Sequence, residues 1–220
     1  MRNLILALTF AGVAASPLMA QTNDPDDVVK GSGALPSGWQ ARLDRPNASL
    51  ADVKFVTMGG GYHATMGPAA IFYNPSHTAS GEYRARVTMT QTKAPRHPEA
   101  YGLFVGGKDL DGDAQDYLYF LVRQDGKFLV KHRAGTEIHT LFDWTEHAAV
   151  KKADAEGKAT NTLEIDVRAT DVRFLVNGTE VAKLDRVPYM NTDGIVGLRV
   201  NHNLDVHIEG FAIERGHGGH

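Results

Sequence analysis

The chain has 220 residues, a formal net charge of −3 with histidine neutral, and no cysteine. That length accommodates one domain of roughly 190 residues behind a leader. The absence of cysteine excludes a disulfide framework, a thiol nucleophile and a lipidated N-terminal cysteine. A faintly acidic balance without any block of Lys or Arg argues against nucleic acid and anionic membrane surfaces as partners.

In chain order, MRNLILALTFAGVAASPLMA places Arg2 ahead of an apolar run from Leu4 to Ala15, then Pro17 and the small Ala20, before the polar QTNDPDD. This is the pattern of a secretory signal peptide over 1–20, cleaved after Ala20. Removing Arg2 with it takes the formal charge from −3 to −4. The apolar run is shorter than the roughly 20 residues that span a bilayer, and no second run follows. The expectation is an exported protein, periplasmic or secreted, without a membrane span. Residues 21–37, rich in Gly, Pro and Asp, read as a flexible lead-in. Residues 38–215 read as one domain, and GHGGH at 216–220 as a tail.

From Trp39 onward, short β-rich runs alternate with turn signals, the pattern of an all-β sandwich. The predicted strands are DVKFVTM, AAIFYN, EYRARVTMTQ, AYGLFVGG, DYLYFLVRQ, KFLVKHRA, EIHTLFD, TLEIDVR, VRFLVN, EVAKL, GIVGLRVN and LDVHIEGFAIER. Only HAAVKKADAEGKA has any helical character.

Two hairpins can be set in register. Asp125-Gly126 suits a two-residue type I′ turn, which pairs Tyr119 with His132, Leu121 with Val130 and Arg123 with Phe128 on one face. Leu118 with Arg133, Phe120 with Lys131 and Val122 with Leu129 form the other. Both faces are largely apolar or aromatic, so one belongs to the core and the other lines a hollow. A two-residue turn at Ala169-Thr170 sets Leu163 against Val176, Ile165 against Phe174 and Val167 against Val172. Glu164 and Asp166 then share the opposite, solvent-side face, with Asp166 across from Arg173. Asn177-Gly178 is a second tight turn, expected to bring Val181 opposite Phe174.

Taken together, AYGLFVGG, DYLYFLVRQDGKFLVKHRAG, NTLEIDVRATDVRFLVNGTEV, GIVGLRVN and LDVHIEGFAIER resemble the consecutive core strands of the concanavalin A-like jelly roll. The likeness is to its LamG-like and 3-keto-disaccharide-hydrolase-like branches and covers roughly residues 39–215. It implies two antiparallel sheets and a hollow that in many relatives faces a glycan. Family 16 glycosidases of this superfamily carry Glu-x-Asp-x-x-Glu. Glu164 and Asp166 match its first two positions, but the third falls on Ala169, and a retaining glycosidase requires two carboxyl groups. The Asn-Ser-Gly stretch usual before the central strand of the keto-disaccharide hydrolases is replaced here by TKAPRHPEAYGLFVGG.

Three constellations remain as candidates. Tyr101, Tyr117, Tyr119 and Trp144 offer aromatic faces for stacking on sugar rings, with Arg123, His132 and His207 as hydrogen-bonding neighbours. Asp109, Asp111 and Asp113 in KDLDGDAQDY crowd hard oxygen ligands that suit a structural calcium ion, although the spacing is not that of an EF-hand; no other cofactor is expected. Asp205, His207 and Glu209 alternate onto one strand face and are the catalytic candidates if the protein is an enzyme. The leading expectation is a non-catalytic domain that binds a carbohydrate or glycoconjugate. The alternatives are a glycoside hydrolase of the 3-keto-disaccharide kind, using clustered carboxylates and histidine, and an envelope module that binds protein through a flat apolar patch.

Overall fold

A computed structural model describes residues 25–187 and 190–216; the predicted signal peptide and the tail beyond Gly216 lie outside them. Fourteen strands appear among the described residues: β1 Gln40–Leu43, β2 Val53–Met58, β3 Gly61–Met66, β4 Ala70–Ala79, β5 Tyr83–Gln91, β6 Ala100–Lys108, β7 Asp116–Arg123, β8 Lys127–Ala134, β9 Glu137–Glu146, β10 Ala159–Val167, β11 Asp171–Val176, β12 Thr179–Asp185, β13 Gly194–Val200 and β14 Asp205–Arg215. The first sheet has the order β1-β4-β13-β6-β7-β8-β9 and the second β12-β11-β10-β5-β14-β3-β2. Every neighbouring pair is antiparallel. The all-β jelly-roll class predicted from the sequence is the class observed.

Alternating side chains of both sheets meet in a continuous core. Phe55 of the second sheet stacks on Phe72 of the first at 4.3 Å, and Phe120 meets Phe174 at 5.3 Å. All four rings are buried, and burying each contributes about 1.5–3 kcal/mol. Residues 147–158 form turns and coil rather than the helix that HAAVKKADAEGKA suggested, with Gly157 at φ 82° and Ala94 packed against its Cα. The described part of the N-terminal lead-in, residues 25–37, carries no strand. It is held by hydrogen bonds from Asp27 N to Asn203 Oδ1 and from Gly31 N to Ala51 O.

The β10–β11 hairpin has the predicted register, Leu163 opposite Val176 through Val167 opposite Val172. Asn177 (φ 52°) and Gly178 (φ 81°) form the left-handed turn expected of them. A bulge between Phe174 and Leu175 then brings Ala182 rather than Val181 opposite Phe174.

The β7–β8 register differs from expectation by one residue. Arg123 pairs with Lys127, so the loop has three residues. Gly126 N donates to Arg123 O at 3.1 Å, and only Gly126 takes positive φ, 84°. Tyr117 therefore lies opposite Arg133, Tyr119 opposite Lys131 and Leu121 opposite Leu129, while Phe120–Val130 and Val122–Phe128 face the core. A one-residue slip exchanges the faces of a strand, and here it sends two cations outward.

Candidate functional site

The outer face of the first sheet carries a second hydrophobic cluster. It comprises Ile71, Tyr73, Ala100, Phe104, Tyr117, Tyr119, Leu121 and Leu129, with Leu110 from the β6–β7 loop folded onto them and Trp144 and Ile195 at the margin. Although this face lies away from the partner sheet, Tyr119 is only 5% exposed. The rings close on one another, with Phe104 5.2 Å from Tyr117 and Tyr117 5.5 Å from Tyr119. They form a buried apolar floor, and the side chains at its rim are largely guanidiniums.

Arg199, from β13, donates to both oxygens of Asp44 at 3.0 and 2.5 Å, reaches the Tyr117 hydroxyl at 3.4 Å and lies 5.2 Å from the Tyr119 ring centre. Arg42, from β1, donates to the Leu110 and Gly112 carbonyls at 3.5 and 2.5 Å. Arg133 Nε donates to Gly135 O at 2.8 Å. Arg42, Asp44, Gln115 and Arg133 surround a cavity of about 10 Å³, roughly the space of one water. At the other end of the floor, the Arg123 guanidinium lies 4.3 Å above the Trp144 ring while holding both oxygens of Asp125 at 2.9 and 2.7 Å.

Burial opposes ionisation of Asp44, but the charge and hydrogen bonds of Arg199, aided by Arg133 and Arg42, carry its carboxyl below the ordinary value. Burial also raises the phenols beneath: Tyr119 is pushed up to about 12, and Tyr117 shifts in the same direction. Around neutral pH the tyrosines are therefore un-ionised and the Asp44–Arg199 pair is charged.

The outer face of the second sheet holds a different chemistry. Asp205, His207 and Glu209 share it with His63, which pairs with His207 in register. His63 Nε2 lies 3.0 Å from Asp205 Oδ1, and the other carboxylate oxygen accepts from Thr65 Oγ1 at 3.1 Å. Thr92 Oγ1 also donates to Asp205. Burial raises the Asp205 carboxyl, but Thr92, His63, Thr65 and Lys93 together leave it below its ordinary value. His207 Nε2 is 3.5 Å from Glu209, the two imidazole centres are 6.0 Å apart, and Nδ1 of each ring is buried without a partner. The arrangement supplies oriented histidine–carboxylate pairs, the raw material of acid–base chemistry.

Glu164 and Asp166 lie further along this face and are more enclosed than a solvent-side reading implies, at 9% and 8% exposure. Arg84 approaches them at 3.7 and 3.5 Å, and Arg168 donates to Asp166 at 2.8 Å. These cations neutralise the carboxylates, and Ala169 stands where a third carboxyl would be.

In the aspartate loop, one carboxylate and two backbone carbonyls are bonded to the protein itself. Asp109 Oδ2 accepts from Ala114 N at 2.9 Å, the Leu110 and Gly112 carbonyls accept from Arg42, and Asp116 meets His132 Nε2 at 3.0 Å. Asp111 and Asp113 lie in the same loop. Among the described residues no three of His, Cys, Asp and Glu are arranged to hold a metal ion.

The predicted ligand residues thus fall in four places. Tyr117, Tyr119, Arg123 and Trp144 come together on the outer face of the first sheet. Tyr101 is wholly buried between the sheets, its phenol pushed up to about 12 by burial. His132 sits on the inner side of β8 beyond the core margin, stacked on His139. His207 belongs to the opposite sheet. The sequence reading omitted Arg42, Tyr73, Arg133 and Arg199 from the first face and His63 from the second.

No protein-family profile matches the sequence, and no curated protein matches it. Solved structures do. The carbohydrate-binding module CBM66 from Bacillus subtilis superposes with a TM-score of 0.59 at 10% identity, covering 80% of this chain and 95% of that one. Alginate lyase A1-II′ gives 0.55 at 12%, covering 81% and 95%. The carbohydrate recognition domain of Emp46p, in its potassium-bound form, gives 0.54 at 13%, covering 82% and 89%. These likenesses establish the concanavalin A-like jelly-roll fold; at such identities they speak for fold alone.

Proposed function

We propose that this protein binds carbohydrate on the outer face of its first sheet, without transforming it. The observation that carries this reading is the half-buried Trp144 with Arg123 over its ring, on the same face as Arg42, Arg133 and Arg199, all backed by a buried layer of Tyr73, Tyr117, Tyr119, Leu121 and Leu129. Ligand sites typically combine an apolar surface with a few fixed polar groups. Sugars present both complements, C–H faces and hydroxyls. The fold likeness to a carbohydrate-binding module and a carbohydrate recognition domain agrees with this assignment, and the sequence features at 1–20 support an exported protein meeting glycans outside the cytoplasm.

The test is a thermal-shift and calorimetric screen of residues 21–220 against neutral and acidic oligosaccharides, with chromatography of every ligand that binds. Ligands that favour the native state raise the midpoint by mass action. Recovery of an unchanged ligand, with affinity weakened by Trp144→Ala and Tyr119→Phe, supports the reading. Binding unaffected by either substitution moves the site elsewhere.

A second reading, a glycoside hydrolase, is favoured by one observation: His63 Nε2 lies 3.0 Å from Asp205 Oδ1, beside His207 and Glu209. Product formation abolished by Asp205→Asn and retained by Trp144→Ala supports this alternative and overturns the first.

A further inference from the structure

The rim of the first sheet's outer face has more positive than negative charge, and the imbalance is local. Three guanidiniums, those of Arg42, Arg133 and Arg199, act on the single carboxylate of Asp44. Arg199 alone holds that carboxylate with paired hydrogen bonds, the fork geometry in which arginine recognises carboxylates. Arg42 and Arg133 bond only backbone carbonyls. Lys131, directly across from Tyr119 in the β7–β8 ladder, adds a third cation. Among the described residues none of Arg42, Lys131 and Arg133 has a carboxylate within ion-pair distance. Elsewhere on the surface, many cations are matched: Arg84 and Arg168 by Asp166, Arg173 by Asp171 and Glu180, Arg186 by Asp193. A chain of net charge −3 therefore leaves unpaired cations beside its apolar floor.

We infer that the glycan bound here is anionic, a polymer of sugars bearing carboxylate or sulfate groups, with one acid group seated at the rim between Arg42 and Arg133 and another reached by Lys131. This rests on the carbohydrate reading above and specifies its ligand class. Asp44 shows the geometry by example: the chain already supplies one carboxylate to this guanidinium cluster, and two of the three cations retain capacity for another. The small cavity between Arg42 and Arg133 admits only a water-sized group, so the acid lies over its mouth, held by the partly exposed side chains of Arg42, Lys131 and Arg133. Lys131 and Arg133 are two residues apart on one strand face, roughly 7 Å, a spacing of the order of a sugar ring. Charge-assisted contacts at a partly enclosed rim strengthen binding and make it sensitive to salt.

The experiment is calorimetric titration of the full mature chain with polygalacturonate, dextran sulfate and neutral dextran, at low salt and again with added sodium chloride. Preference for an acidic polymer over dextran, weakened by salt and reduced tenfold or more by Arg133→Gln with a smaller loss for Lys131→Gln, bears the inference out. Binding of polygalacturonate alone identifies carboxylate as the recognised group, and binding of dextran sulfate alone identifies sulfate. Circular dichroism of each variant separates lost binding from lost fold, and Arg133→Lys should restore part of the affinity. Neutral oligosaccharides bound through Trp144, with no preference for acid and no response to Arg133→Gln, overturn this inference and leave the carbohydrate reading standing. Silence of the intact protein toward acidic and neutral sugars alike overturns both.

Discussion

Arg199 holds Asp44 through two hydrogen bonds, 3.0 and 2.5 Å, joining the central strand β13 to the chain just beyond the edge strand β1. Arg199 is largely enclosed, with 12% of its side chain exposed, whereas Asp44 keeps 38%. Asp44→Asn leaves an enclosed guanidinium, whose Nε already has no partner, without its counter-charge. Breaking a fully buried pair costs about 3–5 kcal/mol and an exposed one about 1 or less; solvent access to Asp44 brings the expected loss to about 1–2 kcal/mol. The Asp44 carboxyl is held below its ordinary value in the fold, so its contribution is complete above the unfolded value near pH 4 and disappears as pH falls through the folded one. Denaturant melts at pH 7 and at successively lower pH should show Asp44→Asn destabilising the protein at neutrality and progressively less as pH falls below about 4. An effect of Asp44→Asn that does not shrink anywhere in the acid range would contradict the ion-pair account.

Five tyrosines, Tyr73, Tyr83, Tyr101, Tyr117 and Tyr119, have phenols raised by burial, Tyr101 and Tyr119 to about 12. A raised phenol favours the native state fully below the unfolded value near pH 10, and this stabilisation is lost as pH rises from there toward 12. Of seven tyrosines in the sequence, five should stay protonated until the fold opens. Near-ultraviolet absorbance followed alongside circular dichroism should therefore show most phenolate appearing with unfolding. All seven ionising smoothly near pH 10 in a folded protein would refute this.

The two hairpins explain how far the sequence could be read. Leu163, Ile165 and Val167 against Val172, Phe174 and Val176 admit one register, because any slip would put charged side chains into the core. DYLYFLVRQDGKFLVKHRA is ambiguous, since both faces of β7 are apolar or aromatic and the turn decides. Gly126 alone goes left-handed, the loop takes three residues, and Arg133 moves to the outer face, where the sequence reading had paired it with Leu118. Arg199 was hidden inside the apolar run GIVGLRV, and Arg42 in a four-residue edge strand. His63 lies on β3, whose only buried residues are Gly61, Ala64 and Met66, too weak an alternation to register as a strand. Fold class came from repeated local patterns, whereas the site depends on strands far apart in sequence meeting side by side.

Gly197 supports the floor from beneath. A Cβ there would lie 2.5 Å from two ring atoms of Phe104 and 2.5 Å from the Phe72 carbonyl oxygen. Phe104 is fully buried and packs 5.2 Å from Tyr117, so the ring cannot retreat without moving the tyrosines, and the Phe72 carbonyl belongs to the paired strand β4. Overpacking of this kind costs about 1–3 kcal/mol. Gly197→Ala should lower the melting temperature by several degrees and alter the near-ultraviolet dichroism of the tyrosines. A variant as stable as the parent, with an unchanged aromatic spectrum, would show that the floor yields more easily than its packing implies.

Glu164 and Asp166 match two-thirds of a glycosidase motif, and their surroundings predict how they behave. Arg84 lies within 3.7 Å of Glu164 and 3.5 Å of Asp166, and Arg168 adds a 2.8 Å contact to Asp166. These guanidiniums occupy the carboxylate oxygens that a glycosidic bond would have to approach, and no third carboxyl stands beside them, since Ala169 takes that place. Both also lie on the outer face of the second sheet, with the full thickness of the sandwich between them and the tyrosine floor. Glu164→Gln and Asp166→Asn should each cost about 1 kcal/mol, with the larger loss at Asp166, which has two arginine partners. Neither should change affinity for a glycan bound at Trp144 and Tyr119. Chemical denaturation paired with calorimetric titration of the same variants separates these effects, and unchanged stability with abolished sugar turnover would reassign the two carboxylates to catalysis.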